Sequence, residues 1–171
     1  MRYYFQLLRW NKPSGRLILL IPAGWSLWLT PSAPPSLFIL GLIILGGLLV
    51  SGAGCIANDI WDRQFDKKVA RTKERPLANE KVSLRSAWIL LTLFLFFSLF
   101  IVLSIPIDSR SLCLQLASLA LPFILFYPSA KRWFKYPQLI LSICWGFSVL
   151  IPWAASESSI EGGITLLFCW L

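Results

Sequence analysis

Apolar positions in this chain run together in six uncharged stretches, at residues 17–30, 36–58, 86–107, 111–130, 136–156 and 162–171. A helix needs about 20 residues to cross about 30 Å of hydrocarbon, so the second to fifth stretches each suffice. The first becomes a workable span when extended back to Pro13. Arg16 then snorkels to the surface, and the proline suits a first helical turn. The last stretch offers about half a crossing, and a helix ending inside hydrocarbon leaves its last carbonyls unpaired. The expectation is therefore an all-α, polytopic transmembrane helical bundle with five full spans and a truncated sixth. The whole chain forms one domain, read as the N-terminal part of a longer membrane protein or as a truncated reading frame.

Composition agrees with a bilayer protein. Apolar residues make up 57% of the 171 positions and charged residues 14%, with a mean hydropathy of +0.69, against roughly 45–50% and about 25% in soluble chains. An aromatic content of 15% excludes disorder. Cys55, Cys113, Cys144 and Cys169 sit singly in apolar runs without C-x-x-C spacing and read as small packing residues. The chain has no histidine, which removes imidazole metal sites and Ser-His-Asp triads and leaves oxygen ligands for any metal.

The net charge of +8 invites a nucleic-acid reading, but the positions of the charges account for it as topology. Basic residues gather before the first span, between the second and third, and between the fourth and fifth, while the alternate connections are nearly free of them. The positive-inside rule then puts the N-terminus and the basic connections in the cytoplasm and excludes a nucleic-acid partner. Trp10, Trp28, Trp61, Trp88, Trp133 and Trp153 fall near span ends, where amphipathic rings prefer to sit.

The chemistry concentrates in N-D-I-W-D-R-Q-F-D, which follows the second span without a break. At 3.6 residues per turn, Asn58, Asp62, Asp66 and Asp59 lie at about 0°, 40°, 80° and 100°, on one face with Asp59 at its rim. Like charges at this spacing are unfavourable without a counter-ion, and carboxylates at a membrane boundary need a partner. One reading is a solvated helix end whose aspartates pair with Arg63, Lys67 and Lys68. The other is a cation site, since Arg71, Lys73 and Arg75 follow at once. Mg²⁺ is commonly held by one or two carboxylates with phosphate oxygens completing its shell, and Arg or Lys takes the remaining phosphate charge. At a membrane edge this suits a lipid diphosphate.

The segment A-G-C-I-A-N-D-I-W-D-R-Q-F-D-K-K-V-A-R-T-K-E-R-P-L, residues 53–77, resembles the first aspartate-rich motif of the UbiA superfamily of intramembrane aromatic prenyltransferases, N-D-x-x-D-x-x-x-D followed by R-T-x-x-R-P. Within the superfamily it is most similar to the 4-hydroxybenzoate polyprenyltransferases. R-W-N-K-P-S-G-R-L from Arg9 and Y-P-S-A-K-R-W-F-K-Y-P-Q from Tyr127 agree.

The resemblance implies a bundle of about nine spans, with a second aspartate-rich motif beyond residue 171. The implied reaction is Mg²⁺-dependent transfer from a polyprenyl diphosphate to 4-hydroxybenzoate or a related aromatic acid such as homogentisate or a naphthoate, in ubiquinone or plastoquinone biosynthesis. Asp62 and Asp66 are the implied catalytic metal ligands, and Asn58 contacts metal or diphosphate. Arg71 and Lys131 are the implied diphosphate cations, although Lys131 also reads as a positive-inside anchor. Asp59 takes a structural part or supports the ligands from behind. Arg9 and Lys12 read either as orientation anchors or as partners of the acceptor's carboxylate. A CDP-alcohol transferase would need a D-G-x-x-A-R element, which is absent. A cation-coupled transporter half would place its site nearer the midplane.

Overall fold

Seven helices account for the secondary structure in the computed structural model, which describes residues 1–12, 14–130 and 132–170, with the side chain of residue 170 also outside the description. They are α1 (Arg2–Leu7), α2 (Ser14–Trp28), α3 (Leu37–Asp66), α4 (Leu84–Leu103), α5 (Ile107–Ala130), α6 (Pro137–Glu157) and α7 (Gly163–Trp170). No strand occurs among the described residues. Ser36 and Ser83 cap α3 and α4, accepting from the Ile39 amide at 3.2 Å and the Ser86 amide at 3.0 Å and so satisfying one of the free first-turn donors.

Among the described residues four helices, α3 to α6, are long and apolar enough to cross a membrane, against five expected full spans, the first of which was drawn back to Pro13, outside the described residues. The first run yields only the 15 residues of α2, about 22 Å of rise. It stops at Trp28 because Pro31 follows: proline disfavours helical geometry in the residue before it and contributes no N–H. The expected third and fourth spans also shift. α4 ends at Leu103 and α5 begins at Ile107, directly after Pro106, so Asp108 falls in the first turn of α5, where a carboxylate favours the helix dipole. The short α1 had no counterpart in the run pattern.

α3 is the organising element. Its 30 residues rise about 45 Å, well beyond about 30 Å of hydrocarbon, so its final turns carry the carboxylate motif clear of the apolar layer. One buried cluster gathers at that end, where Leu7 and Leu8 meet Ala53, Ile56 and Ala57 of α3, Leu77 and Val82 of the following loop, and Ala87 and Leu91 of α4. A second cluster closes the opposite end, with Leu27, Ile39, Leu42, Ile105, Cys113, Leu116, Ala154 and Ala155. α4 turns most of its surface outward, with Phe96, Phe97, Leu99 and Phe100 exposed, as a lipid-facing helix does.

Trp28, Trp88 and Trp133 are exposed near helix ends, as expected, but Trp153 is buried. Gly162 and Gly163 lie against its ring, and a Cβ at Gly162 would stand 2.5 Å from Trp153 Cζ2. Gly162 also has φ +75°, open to glycine and costly for other residues. Only a bare backbone can turn so close over the indole, which therefore packs inside the bundle and not at an interface.

Candidate functional site

α3 continues as helix through the entire motif to Asp66, so Asn58, Asp59, Asp62 and Asp66 do share one arc. The surroundings divide that arc in two. Asp59, expected at the rim, is the most enclosed of the carboxylates at 2% exposure, and Asp66 is buried at 7%. The solvent side of the helix end is taken by Trp61 and Phe65, both exposed.

Asp59 Oδ1 accepts from Arg9 Nη2 at 2.8 Å and from Arg75 Nη1 at 3.2 Å. Asn58 Nδ2 lies 3.4 Å from the same oxygen. Arg75 Nη1 also donates to Asp66 Oδ2 at 2.7 Å, so one guanidinium nitrogen serves two carboxylates two helical turns apart. Two chain segments deliver these cations. Arg9 follows α1 in the left-handed region at φ 53°, a turn that sends its side chain back onto α3. Burial works against the charge on Arg9, but the Asp59 charge and its hydrogen bond, together with the other negative groups nearby, outweigh it and hold the guanidinium above its ordinary pKa. Arg75 comes from the α3–α4 loop, which is pinned by the Thr72 hydroxyl donating to the Asp66 carbonyl at 3.3 Å and by buried Leu77, Ala78 and Val82.

Asp62 pairs with a third arginine. Arg132 Nη2 lies 3.3 Å from Asp62 Oδ1, also donates to the Trp61 carbonyl, and rests its guanidinium over the Phe65 ring at 4.4 Å. Trp61 Nε1 donates in turn to the Leu125 carbonyl of α5 at 2.9 Å. The solvated pairing expected for the aspartates goes elsewhere, since Lys67 and Arg63 reach Glu80 at 2.6 and 3.6 Å. Arg71 is exposed and makes no hydrogen bond or ion pair with another described residue. Lys131 lies outside the described residues.

Sequence reasoning therefore named the acidic half of the site and missed how it is neutralised. In sequence Arg75 is only one of a basic run, Arg9 reads as an anchor or an acceptor contact, and Arg132 belongs only to the basic connection between the fourth and fifth apolar runs. Sequence offered no means of pairing positions 50 and 70 residues apart.

Asn58, Asp62 and Asp66 offer only oxygen donors, the chemistry Mg²⁺ selects. No group of three or more Cys, Asp or Glu side chains able to hold a metal by itself forms among the described residues. Two carboxylates and an amide fill part of an octahedral shell and leave positions for ligand oxygens. Each of the two carboxylates already pairs with a cation, Asp66 with the Arg75 guanidinium and Asp62 with that of Arg132, so in chemistry the donor set fits the ion.

A cavity of about 500 Å³ runs beside α3 between the two buried clusters, walled by Leu20, Gly46, Val50, Leu95, Ile124 and Phe147 among others from α2 to α6. Its lining reaches Ala53, about 7.5 Å of helix rise before Asn58. The wall is almost wholly apolar, broken only by hydroxyls such as those of Ser98, Ser118 and Ser148.

Residues 19–171 match the model of the UbiA prenyltransferase family. The chain is 47% identical to the 4-hydroxybenzoate solanesyltransferase of Synechocystis sp. over 95% of its own length and 54% of that protein. It is 39% identical to the 4-hydroxybenzoate octaprenyltransferase of Legionella pneumophila over 96% and 57% respectively. It thus spans little more than half the length of these curated relatives. Among solved structures it resembles a UbiA homolog from Archaeoglobus fulgidus bound to DMAPP and Mg²⁺, with TM-score 0.78 and 18% identity over 96% of this chain and 59% of that one. A second is the apo structure of a UbiA homolog from Aeropyrum pernix K1, with TM-score 0.70 and 26% identity over 96% and 55%.

Proposed function

The chain belongs to the UbiA prenyltransferase family, and from that premise we propose that the protein transfers a polyprenyl group from a polyprenyl diphosphate to 4-hydroxybenzoate in quinone biosynthesis. The observation that carries this reading is the placement, along one helix, of an oxygen-donor face at the end of α3 and an apolar cavity beside its middle turns. A diphosphate bearing an isoprenoid tail has those two parts in that order. The names of the relatives support the acceptor, and the Mg²⁺ and DMAPP held by the A. fulgidus homolog support the metal and the donor class.

Asn58, Asp62 and Asp66 would hold Mg²⁺. When bound, the metal neutralises charge that builds on the diphosphate leaving group. Arg71 would reach the phosphate oxygens from its exposed position, and Lys131 is assigned the same task. The cavity holds the tail in a water-poor setting, where fixed charges count for more than in solution and water cannot intercept the allylic cation. The allylic C–O bond breaks with departure of diphosphate, and a ring carbon ortho to the phenol forms the new C–C bond and then loses its proton. The distribution of basic residues supports a cytoplasmic position for the N-terminus and for the carboxylate end of α3.

The test is Asp62→Asn and Asp66→Asn in the full-length protein. Each should lower Mg²⁺-dependent prenyl transfer by at least 100-fold while the protein still inserts in membranes. Activity within tenfold of wild type in both would overturn the metal assignment.

A further inference from the structure

Asp59 belongs to no ligand set named above, yet it is the most buried carboxylate of the motif and receives two guanidiniums on one oxygen. We infer that Asp59 is a positioning residue: it retains Arg75 at the floor of the site, so that Asp66 can exchange Arg75 for a divalent cation. This rests on the reading of Asp66 as a metal ligand.

The geometry supplies the reason. Arg75 Nη1 lies 2.7 Å from Asp66 Oδ2 and 3.2 Å from Asp59 Oδ1. A metal arriving at Asp66 must compete with that guanidinium. With Asp59 present, Arg75 can yield Asp66 and keep a carboxylate partner, and no half-buried cation is left unpaired. Without the charge on Asp59, Arg75 has only Asp66 left to neutralise it, and the competition for Asp66 sharpens. Arg9 completes the balance. Two arginines face two carboxylates in the resting arrangement, and once Asp66 turns to a metal, Asp59 between Arg9 and Arg75 leaves one net positive charge beside the ion.

A charge deletion near any metal site alters affinity, so the discriminating quantity is the coupling between positions 59 and 75. Mn²⁺ alone is titrated into the full-length protein in detergent micelles, free ion being read by electron paramagnetic resonance. Asp59→Asn should weaken Mn²⁺ binding at least fivefold when Arg75 is present and less than twofold when Arg75 is Gln. An equal loss in both backgrounds overturns the inference. Arg75→Gln alone leaves Asp59 paired with Arg9, so that carboxylate stays satisfied, and the variant provides a test even if Asp59→Asn does not fold. It should tighten Mn²⁺ binding at least threefold, and a weakening overturns the inference. Asp66→Asn separates the two claims: Mn²⁺ affinity unchanged by that substitution would defeat the ligand reading itself, whereas a loss with no coupling between 59 and 75 would defeat only the part assigned to Asp59.

Discussion

Arg132 clasps the end of α3 through Asp62: its guanidinium reaches the Asp62 carboxylate at 3.3 Å while lying over the ring of Phe65, one turn on, at 4.4 Å. The contact ties the connection after α5 to the carboxylate face at a point that sequence assigns only to topology.

Arg132→Lys keeps the charge but loses the planar fork and the stacking on Phe65. Both partners are partly exposed, so the ion pair is worth about 1 kcal/mol or less, and the thermal midpoint should fall by only a few degrees in Arg132→Ala. Prenyl transfer should fall about tenfold in both variants, because the Asp62 carboxylate loses its fixed orientation. Unchanged activity in Arg132→Lys would show that charge alone suffices there.

Two glycines on α3 should respond oppositely to alanine. A Cβ at Gly52 would lie 2.5 Å from Phe94 Cε1 and 3.2 Å from Leu8 Cδ2, whereas one at Gly54 meets only Ile124 Cγ2 at 3.7 Å. Gly52→Ala should destabilise by about 1–3 kcal/mol through forced repacking. Gly54→Ala should be neutral or stabilising by up to about 1 kcal/mol, since glycine is a poor helix residue. Thermal unfolding in one detergent compares them directly.

Ser118 lines the cavity from α5. Replacing it with Phe fills part of the space assigned to the isoprenoid tail, so the full-length enzyme should turn toward shorter donors. Mass spectrometry of products formed from a mixture of diphosphates of different chain length reads the shift, and an unaltered distribution would place the tail elsewhere.

Glu80 is held below the ordinary carboxylate pKa by its hydrogen bond to Lys67 and by the charges of Lys67 and Arg63. A lowered folded-state value stabilises the α3–α4 loop above the ordinary glutamate pKa, and that contribution disappears as pH falls through the folded value. Protection of the loop from proteolysis should therefore decline below about pH 4.5 in wild type. Glu80→Gln should lack this step and be equally cleavable on both sides of it. The pair lies at the surface, so added salt should shrink the effect.

The long uncharged runs were enough to establish the bundle and four of its crossings, because hydrocarbon demands about 20 apolar residues wherever a helix spans it. The same runs overstated the first crossing, where proline chemistry outside the apolar run ended α2 early. Helical spacing likewise put Asn58, Asp59, Asp62 and Asp66 on one arc from the sequence alone, since 3.6 residues per turn is a local property. What spacing does not contain is depth. Asp59 lies at the rim of the arc by angle, yet it is the most buried carboxylate of the motif because Arg9 and Arg75 converge on it. Those partners stand 50 positions before it and 16 after it, and Arg132 stands 70 after Asp62. Ion pairs across such separations depend on where α1, the α3–α4 loop and the end of α5 come to rest, and only packing of the whole chain decides that.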